Sequence, residues 1–341
     1  MATIPHQYIA RHSGEVRSER LLGDAIVRLL YARWREEPSL MFRMLVSRRA
    51  SALLAGLNCD SRVTGLLFGA MRFMQANGMD PDECLEPPER LNTARKIFER
   101  KIRYWESRPM PDQNEAIVSP ADARVLVGSF RDASQVFIKG KYFDLEELFG
   151  LNGARWVGHY ADGDFALFRL TPDKYHYNHV PVSGRVLDFY ETGGAYHSCK
   201  PSATVAVVTP LSKNARTVTV IDTDVPGGTG AGLVAMIEVV ALMIGRIRQC
   251  YSEDKYIDPK PVATGMFIRK GSPKSLYSPG SSTDLVLFQS RRVRFDEDIV
   301  TNMFRAGVQS RFSQGLGQPL VETEVQVRSQ IGVALASAAG A

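Results

Sequence analysis

The chain has 341 residues, of which 44% are hydrophobic and 23% are charged, so its composition is that of a folded protein and not of a disordered one. The formal net charge of +5 permits attraction to anionic surfaces, but it is too small to indicate nucleic-acid binding by itself. The four cysteines form no Cys-x-x-Cys pair, which disfavours a zinc site and predicts free thiols in a reducing compartment.

The first eighteen residues are polar and lack the apolar core of a signal peptide. The sequence contains no uninterrupted stretch of about eighteen apolar residues, which is the length that a transmembrane helix needs. We therefore expect a cytoplasmic protein that contacts a membrane only from outside the bilayer.

Helical patterns dominate the N-terminal third of the sequence. Apolar residues recur at helical spacing, with arginines among them, over residues 21–30, 40–57 and 63–74. Such basic helices indicate either a packed subdomain with an arginine-rich outer face or a surface that rests on anionic lipid. A linker rich in proline and acidic residues at 80–88 precedes one more predicted helix, and we assign residues 1–108 to a helical subdomain.

Strand patterns take over after Pro109, with glycine and proline between them. The predicted strands cover residues 123–127, 135–138, 166–170, 184–189, 203–208, 217–221 and 284–288. Residues 234–247 fit either a strand pair or a helix, and residues 296–312 predict a terminal helix followed by a small, polar tail. The expected fold class is α+β, with the helical subdomain packed on a β-rich, barrel- or sandwich-like domain at 109–341.

Three segments carry residues suited to chemistry. Asp122, in the turn Ser-Pro-Ala-Asp, either bonds its own backbone or orients a histidine. His176 and His179 follow a predicted strand and suit acid–base catalysis better than metal binding, because no acidic or cysteine partner lies at ligand spacing. The glycine-rich stretch at 226–232 lacks the Gly-Lys-Ser/Thr ending of a phosphate-binding loop and indicates a turn or lid.

Taken together with the Ser-Pro-Gly-Ser-Ser-Thr stretch at 278–283, these segments resemble the phosphatidylserine decarboxylase family, in the family's order, over more than half the chain. Residues 173–181 resemble its Asp-Tyr-His-x-x-His-x-Pro motif, and residues 137–142 resemble its Ile-Lys-Gly-x-x-Tyr segment. Val240 and Arg246 depart from the family pattern. Pro-Lys-Ser at 273–275 replaces the usual Glu-Met-Gly.

The resemblance implies self-cleavage at Gly280-Ser281 into a β chain (1–280) and an α chain (281–341). Asp122 would orient His179, which would take the proton from the Ser281 hydroxyl. Ser281 would become a pyruvoyl cofactor, with no metal or pyridoxal phosphate needed, and His176 would return a proton during turnover. Counting back from Phe288 instead indicates Ser282, but Ser281 follows a glycine directly, and glycine tolerates the strain of an acyl shift.

The implied reaction is decarboxylation of phosphatidylserine to phosphatidylethanolamine by a homodimer of processed units on the inner face of the cell membrane, with no nucleic acid involved. One alternative is the same chemistry on a free, for example aromatic, amino acid. Another is an unprocessed lipid-binding relative without enzyme activity. The serine doublet and the altered Pro-Lys-Ser segment, which depart from the family pattern, are consistent with this alternative.

Overall fold

The computed structural model describes residues 5–19, 70–131, 144–194, 210–240, 246–279, 282–317 and 319–336. The expected helices at 21–30 and 40–57, the expected strands at 135–138 and 203–208, and the Gly280-Ser281 bond lie outside these described residues.

Strands form most of the regular structure in the described part of the chain. They are β1 (Gln7–Ala10), β2 (Glu15–Ser18), β3 (Ala116–Val118), β4 (Ala123–Ser129), β5 (Asp164–Leu170), β6 (Tyr177–His179), β7 (Gly184–Thr192), β8 (Arg216–Asp222), β9 (Leu233–Val240), β10 (Ile247–Gln249), β11 (Phe267–Ile268), β12 (Pro273–Tyr277), β13 (Ser282–Phe288), β14 (Val293–Phe295), β15 (Glu322–Val325) and β16 (Gln330–Ala334).

The helices of the described residues are short. They are α1 (Ala70–Ala76), α2 (Ala94–Phe98), α3 (Tyr104–Ser107), α4 (Leu145–Phe149), α5 (Val157–Tyr160), α6 (Pro210–Lys213), α7 (Glu297–Met303) and α8 (Arg311–Leu316). None of them is long and apolar enough to span a bilayer.

A ten-stranded sheet organises the molecule, in the order β11-β7-β8-β9-β13-β5-β4-β15-β1-β2. All neighbours are antiparallel except β1 and β15. The order has two ends, so the described strands close no barrel, which corrects the barrel form of the barrel- or sandwich-like expectation. The mixture of large sheets and short helices is compatible with the expected α+β class. Every residue of β5 and β13 is buried, including the polar residues at their ends.

Two three-stranded sheets, β10-β12-β6 and β14-β16-β3, complete the described structure. The undecided segment at 234–247 contains strands where it is described: β9 lies between β8 and β13, and β10 begins at Ile247. A strand buried on both faces has the same continuous apolar pattern as a buried helix, so periodicity could not separate the two.

The two ends of the chain differ most from the sequence-based prediction. Residues 7–18, assigned to the helical subdomain, form β1 and β2 of the large sheet, and the tail beyond residue 312 forms β15 and β16. The predicted helix at 296–312 is two helices, α7 and α8, with Gly307 between them at a φ of 79°.

A buried ionic cluster explains why these polar ends enter the sheet. Arg169 on β5 donates to Glu322 on β15 and to Glu19 after β2, and His6 contacts the same Glu322 carboxylate at 2.7 Å. The cluster therefore fastens both ends of the chain to the central strand β5. Its carboxylates are neutralised by arginine, so they need no metal ion.

Candidate active site

The two motif histidines lie on and just before β6, which pairs with β12 directly before the serine loop. Tyr177 pairs with Leu276 and His179 with Pro273, while the Tyr277 amide donates to the His176 carbonyl at 3.1 Å. The loop at 278–281 connects β12 to β13. The antiparallel register therefore places His176 at the end of β6 beside this loop and His179 at the far end.

The His179 ring is held by two neighbours. Nδ1 lies 2.8 Å from the Gly271 carbonyl oxygen and Nε2 lies 3.0 Å from the Tyr175 hydroxyl. Because a carbonyl only accepts, Nδ1 carries the hydrogen and Nε2 is left as the base. Burial lowers the pKa of His179 to about 3, so the ring is neutral near pH 7. Gly271 adopts a φ of 76°, and a Cβ there would lie 2.3 Å from Met110 Sδ.

Asp122 has different partners from those that we expected. Its carboxylate accepts a bidentate pair from Arg108, at 3.0 and 2.9 Å, and a hydrogen bond from the Val327 amide at 2.8 Å. Although burial opposes ionisation, Arg108 holds the pKa of Asp122 below its ordinary value. No hydrogen bond joins Asp122 to His179 in the described structure. The Gly271 carbonyl orients the ring instead, because Arg108 occupies the Asp122 carboxylate.

Asp122 still lies close to the histidine through the backbone of its turn. The His179 amide donates to the Pro120 carbonyl at 2.7 Å, and the negative charge of Asp122 favours the protonated form of the ring. The charges of Arg328 and Arg108 oppose this effect, so Asp122 is one of several charged groups that act on the ring. A direct hydrogen bond is not required for that effect.

His176 is fully buried and stacks on Phe98 of α2, with the ring centroids 3.5 Å apart. Neither ring nitrogen has a hydrogen-bond partner among the described residues. Burial, reinforced by the charge of Arg100, lowers the pKa of His176 to about 3. The ring beside the serine loop is thus neutral, although the Lys174 backbone favours its protonated form.

Ser282 is the first residue of β13, opposite Val240 on β9 and Leu170 on β5. Its side chain is buried, and its hydroxyl has no partner in the part of the chain that the structure describes. A buried polar atom is ordinarily bonded, so an unpaired hydroxyl at this strand start is unusual. Gly280 and Ser281 are outside the described residues.

A cavity of about 920 Å³ adjoins the serine loop. Ser278 and Val240, the strand partner of Ser282, contribute to its wall, and so do Arg246 and Arg248. These two arginines flank Ile247, so they lie on the same side of the β10 backbone. Glu99 and Glu191 also line the cavity, so its wall carries both signs of charge, and the two arginines are the groups in it that suit an anion.

Sequence reasoning missed a buried polar network behind the loop. Glu238 on β9 accepts from Lys274 and Ser275 on β12, from Asn178 on β6, and from Gln249 on β10. Two signals were present: a glutamate within an apolar run, and Pro-Lys-Ser in place of the family's Glu-Met-Gly. Neither signal shows by itself that the two segments face each other.

Comparison with known proteins agrees with this architecture. A profile of the family described as "Phosphatidylserine decarboxylase" matches residues 94–318, which is more than half of the chain. The chain is 28% identical to a "Phosphatidylserine decarboxylase proenzyme" of Fusobacterium nucleatum, over 87% of this chain and 91% of that protein. It is 30% identical to a protein of the same name from Chlamydia muridarum, over 72% of this chain and 76% of that protein. The chain belongs to the phosphatidylserine decarboxylase family.

Proposed function

We propose that this protein decarboxylates phosphatidylserine to phosphatidylethanolamine after cleaving its own chain in the loop before β13. Family membership supports the reaction, and the word proenzyme in the relatives' names supports the processing step. The observation that carries the proposal is the position of this loop, which leaves β12 beside His176 and ends at Ser282, whose buried hydroxyl has no partner in the described part of the chain.

For the processed serine we now favour Ser282 and keep Ser281 as the alternative. The Ser282 hydroxyl is at the start of a central strand and has no hydrogen-bond partner among the described residues, which suits a nucleophile. The argument for Ser281 is that it directly follows Gly280, because glycine tolerates the backbone strain of an acyl shift. The alkoxide attacks the carbonyl of the preceding residue, and the acyl group moves from nitrogen to oxygen. Elimination then cuts the chain into a carboxylate and a dehydroalanine, and water converts the dehydroalanine to the pyruvoyl group with release of ammonia.

His179 and Asp122 remain our proposed base and supporting carboxylate for the cut, with Asp122 acting through its field. His176 is a second candidate for the base, because it is neutral and lies beside the loop.

The unpaired Ser282 hydroxyl at the loop fits a serine that is converted to a covalent pyruvoyl group. This group, once formed, supplies the electron-withdrawing carbonyl that allows carbon dioxide to leave. The surrounding residues exclude water, because the side chains of β5, β9 and β13 around the strand start are buried.

The arginine-lined cavity favours the lipid over a free aromatic amino acid. Arg246 and Arg248 suit the phosphodiester that phosphatidylserine carries and a free amino acid lacks. We also propose that the arginine-rich segments between residues 21 and 74 contact anionic lipid on the inner face of the cell membrane. Two processed units would associate as a homodimer.

The test combines chain analysis with substrate choice. We expect purified protein to give two chains on a denaturing gel, the smaller with a blocked N-terminus, and to release carbon dioxide from phosphatidylserine vesicles. Turnover of free tryptophan or phenylalanine without lipid turnover would favour the amino-acid alternative. A single chain of 37.8 kDa without activity would favour the unprocessed lipid-binding relative.

A further inference from the structure

A row of two tyrosine hydroxyl groups leads from the His179 ring to the backbone. Nε2 of His179 lies 3.0 Å from the Tyr175 hydroxyl, which lies 2.7 Å from the Tyr256 hydroxyl. The Tyr256 oxygen lies 2.9 Å from the carbonyl oxygen of Ile102 and 3.2 Å from the amide nitrogen of the same residue. The row therefore begins at a base and ends at a residue that offers it both a donor and an acceptor.

When His179 is neutral, the hydrogens of the row point toward the ring. Nδ1 keeps its hydrogen on the Gly271 carbonyl, so Nε2 can only accept, and Tyr175 donates to it. Tyr256 then donates to Tyr175, and the Ile102 amide donates to Tyr256. Each oxygen in the row thus has a hydrogen-bond donor.

The same row fits a protonated ring when its hydrogens point the other way. Nε2 of the imidazolium donates to Tyr175, Tyr175 donates to Tyr256, and Tyr256 donates to the Ile102 carbonyl. No oxygen or nitrogen atom has to move, because a hydroxyl group both donates and accepts. The two tyrosines can therefore serve both protonation states of His179.

The ring needs such a partner because it is fully buried among groups of both charges. Burial has the largest effect and lowers the pKa of His179 to about 3, although the hydrogen bond to Gly271 favours the protonated form. Asp122 also favours that form, whereas Arg328 and Arg108 oppose it. An imidazolium formed here therefore depends on fixed hydrogen-bond partners for its stabilisation.

Both tyrosines are held firmly and keep their hydrogens. Tyr175 stacks on Tyr177 with the ring centroids 5.5 Å apart, and Tyr256 packs edge-on against Tyr177 and Tyr104. Burial raises the pKa of Tyr175 and of Tyr256, so neither hydroxyl ionises near pH 7. The packing fixes the oxygen atoms, while each hydroxyl hydrogen can still rotate about its C–O bond.

We propose that Tyr175 and Tyr256 are positioning residues for self-cleavage, which stabilise the His179 imidazolium while the chain is cut. When His179 acts as the base, the O–H bond of the serine breaks, an N–H bond forms at Nε2, and both tyrosine hydroxyls turn away from the ring. The proton then passes from Nε2 to the serine nitrogen as its amide bond breaks, and the hydroxyls turn back. Neither tyrosine gains or loses a hydrogen. This inference rests on the proposed self-cleavage with His179 as its base.

Removing the hydroxyl groups singly and together tests the row. The rate of cutting is measured on freshly translated protein by denaturing gel. We expect Tyr175→Phe to slow cutting about tenfold, because the bond to the charged ring is stronger than the bond to the neutral ring. Tyr256→Phe should slow it about threefold. The double variant should be no slower than Tyr175→Phe alone, because Tyr256 acts only through Tyr175.

Tyr104→Phe is the matched control. The Tyr104 ring contacts His179 edge-on, with the centroids 4.6 Å apart, but in the described structure its hydroxyl is not bonded to either ring nitrogen. This variant should cut at the wild-type rate. A rate of Tyr175→Phe within twofold of wild type would overturn the proposal, and so would a double variant slowed by the product of the two single effects. Wild-type protein that stays a single chain would contradict the proposed self-cleavage itself.

A second measurement does not depend on cutting. In the uncut Ser281→Ala/Ser282→Ala protein at pH 7, nitrogen NMR should show the His179 Nε2 resonance of an unprotonated nitrogen that accepts a hydrogen bond. Adding Tyr175→Phe should move this resonance downfield, because the bond is lost, and adding Tyr104→Phe should leave it in place. A resonance that Tyr175→Phe does not move would show that the tyrosine does not contact the base, and the proposal would fail even where wild-type cutting is confirmed.

Discussion

In the serine loop, the processed residue is either Ser281 or its neighbour Ser282. Ser282→Ala should abolish cutting, because it removes the buried hydroxyl that starts β13, whereas Ser281→Ala should leave cutting largely intact. Intact mass of the small chain gives an independent reading, since chains 281–341 and 282–341 differ by one serine residue. The opposite pattern of cutting would return the processed site to Ser281.

Asp122 makes a separate residue-scale prediction, because its carboxylate pairs with Arg108 inside the protein. In an uncut background, Asp122→Asn should lower the free energy of unfolding by about 2 kcal/mol, since it removes one of the two carboxylates that pair with the buried Arg108 guanidinium and leaves Glu83 as the other. Urea denaturation measures this loss. Asp82→Asn is the control at an exposed carboxylate nearby and should change stability by less than about 0.5 kcal/mol. Unchanged stability in Asp122→Asn would show that the ion pair is not structural.

At the scale of elements, strand β10 and the residue before it carry the two arginines that we expect to bind the substrate in the cavity. Replacing both Arg246 and Arg248 by glutamine should raise the KM for phosphatidylserine at least tenfold with little change in kcat, because a lost charge-assisted hydrogen bond costs about 1.5–3 kcal/mol. Kinetics on mixed detergent micelles measures both constants. An equal KM for the variant would argue that these arginines do not contact the phosphodiester.

Strand β6 makes the stability of the protein depend on pH. The unfolded chain protonates its histidines below about pH 6.5, whereas buried His176 and His179 stay neutral down to about pH 3. Their neutral burial therefore costs nothing above pH 6.5 and destabilises the fold as the pH falls, by about 2 kcal/mol for each ring at pH 5.

Unfolding in urea at pH 7 and pH 5 checks this dependence in the uncut protein. His176→Gln should reduce the difference in stability between the two pH values, while His159→Gln, at an exposed position, should leave it unchanged. A difference that His176→Gln does not alter would mean that the ring is accessible to protons in the folded state.

Strands with a clear local pattern were predicted from the sequence. Strands whose polar residues are buried by partners far away in the chain were missed. β4, β5, β7, β8 and β13 follow the predicted strands, and all of them except β7 are buried over nearly their whole length. β15 was missed because Glu322 is a polar residue that Arg169, more than 150 residues away, makes suitable for burial. Likewise, the order of motifs indicated Asp122 and His179, but only three-dimensional contacts assign Arg108 to the first and Gly271 to the second.

For the whole molecule, the position of the cut relative to the sheet determines what processing does to the fold. A chain that begins at Ser282 contains β13, which lies between β9 and β5, and β15, which lies between β4 and β1. Cutting before β13 therefore divides the covalent chain but not the sheet. The four apolar residues of β13 from Leu285 to Phe288 are fully buried, and their burial contributes about 8 kcal/mol to holding the two chains together.

We accordingly expect the two chains to stay associated until the protein unfolds. Processed protein should elute from a native sizing column at the same volume as the uncut Ser282→Ala variant, and one peak should give both chains on a denaturing gel. Urea should release the small chain in the same transition that removes the β-sheet signal in circular dichroism, because β13 cannot leave without exposing the core of β5 and β9. Loss of the small chain on the native column would mean that the sheet rearranges after cleavage. The active site of the processed protein would then be formed by a different arrangement of β5, β9 and β13.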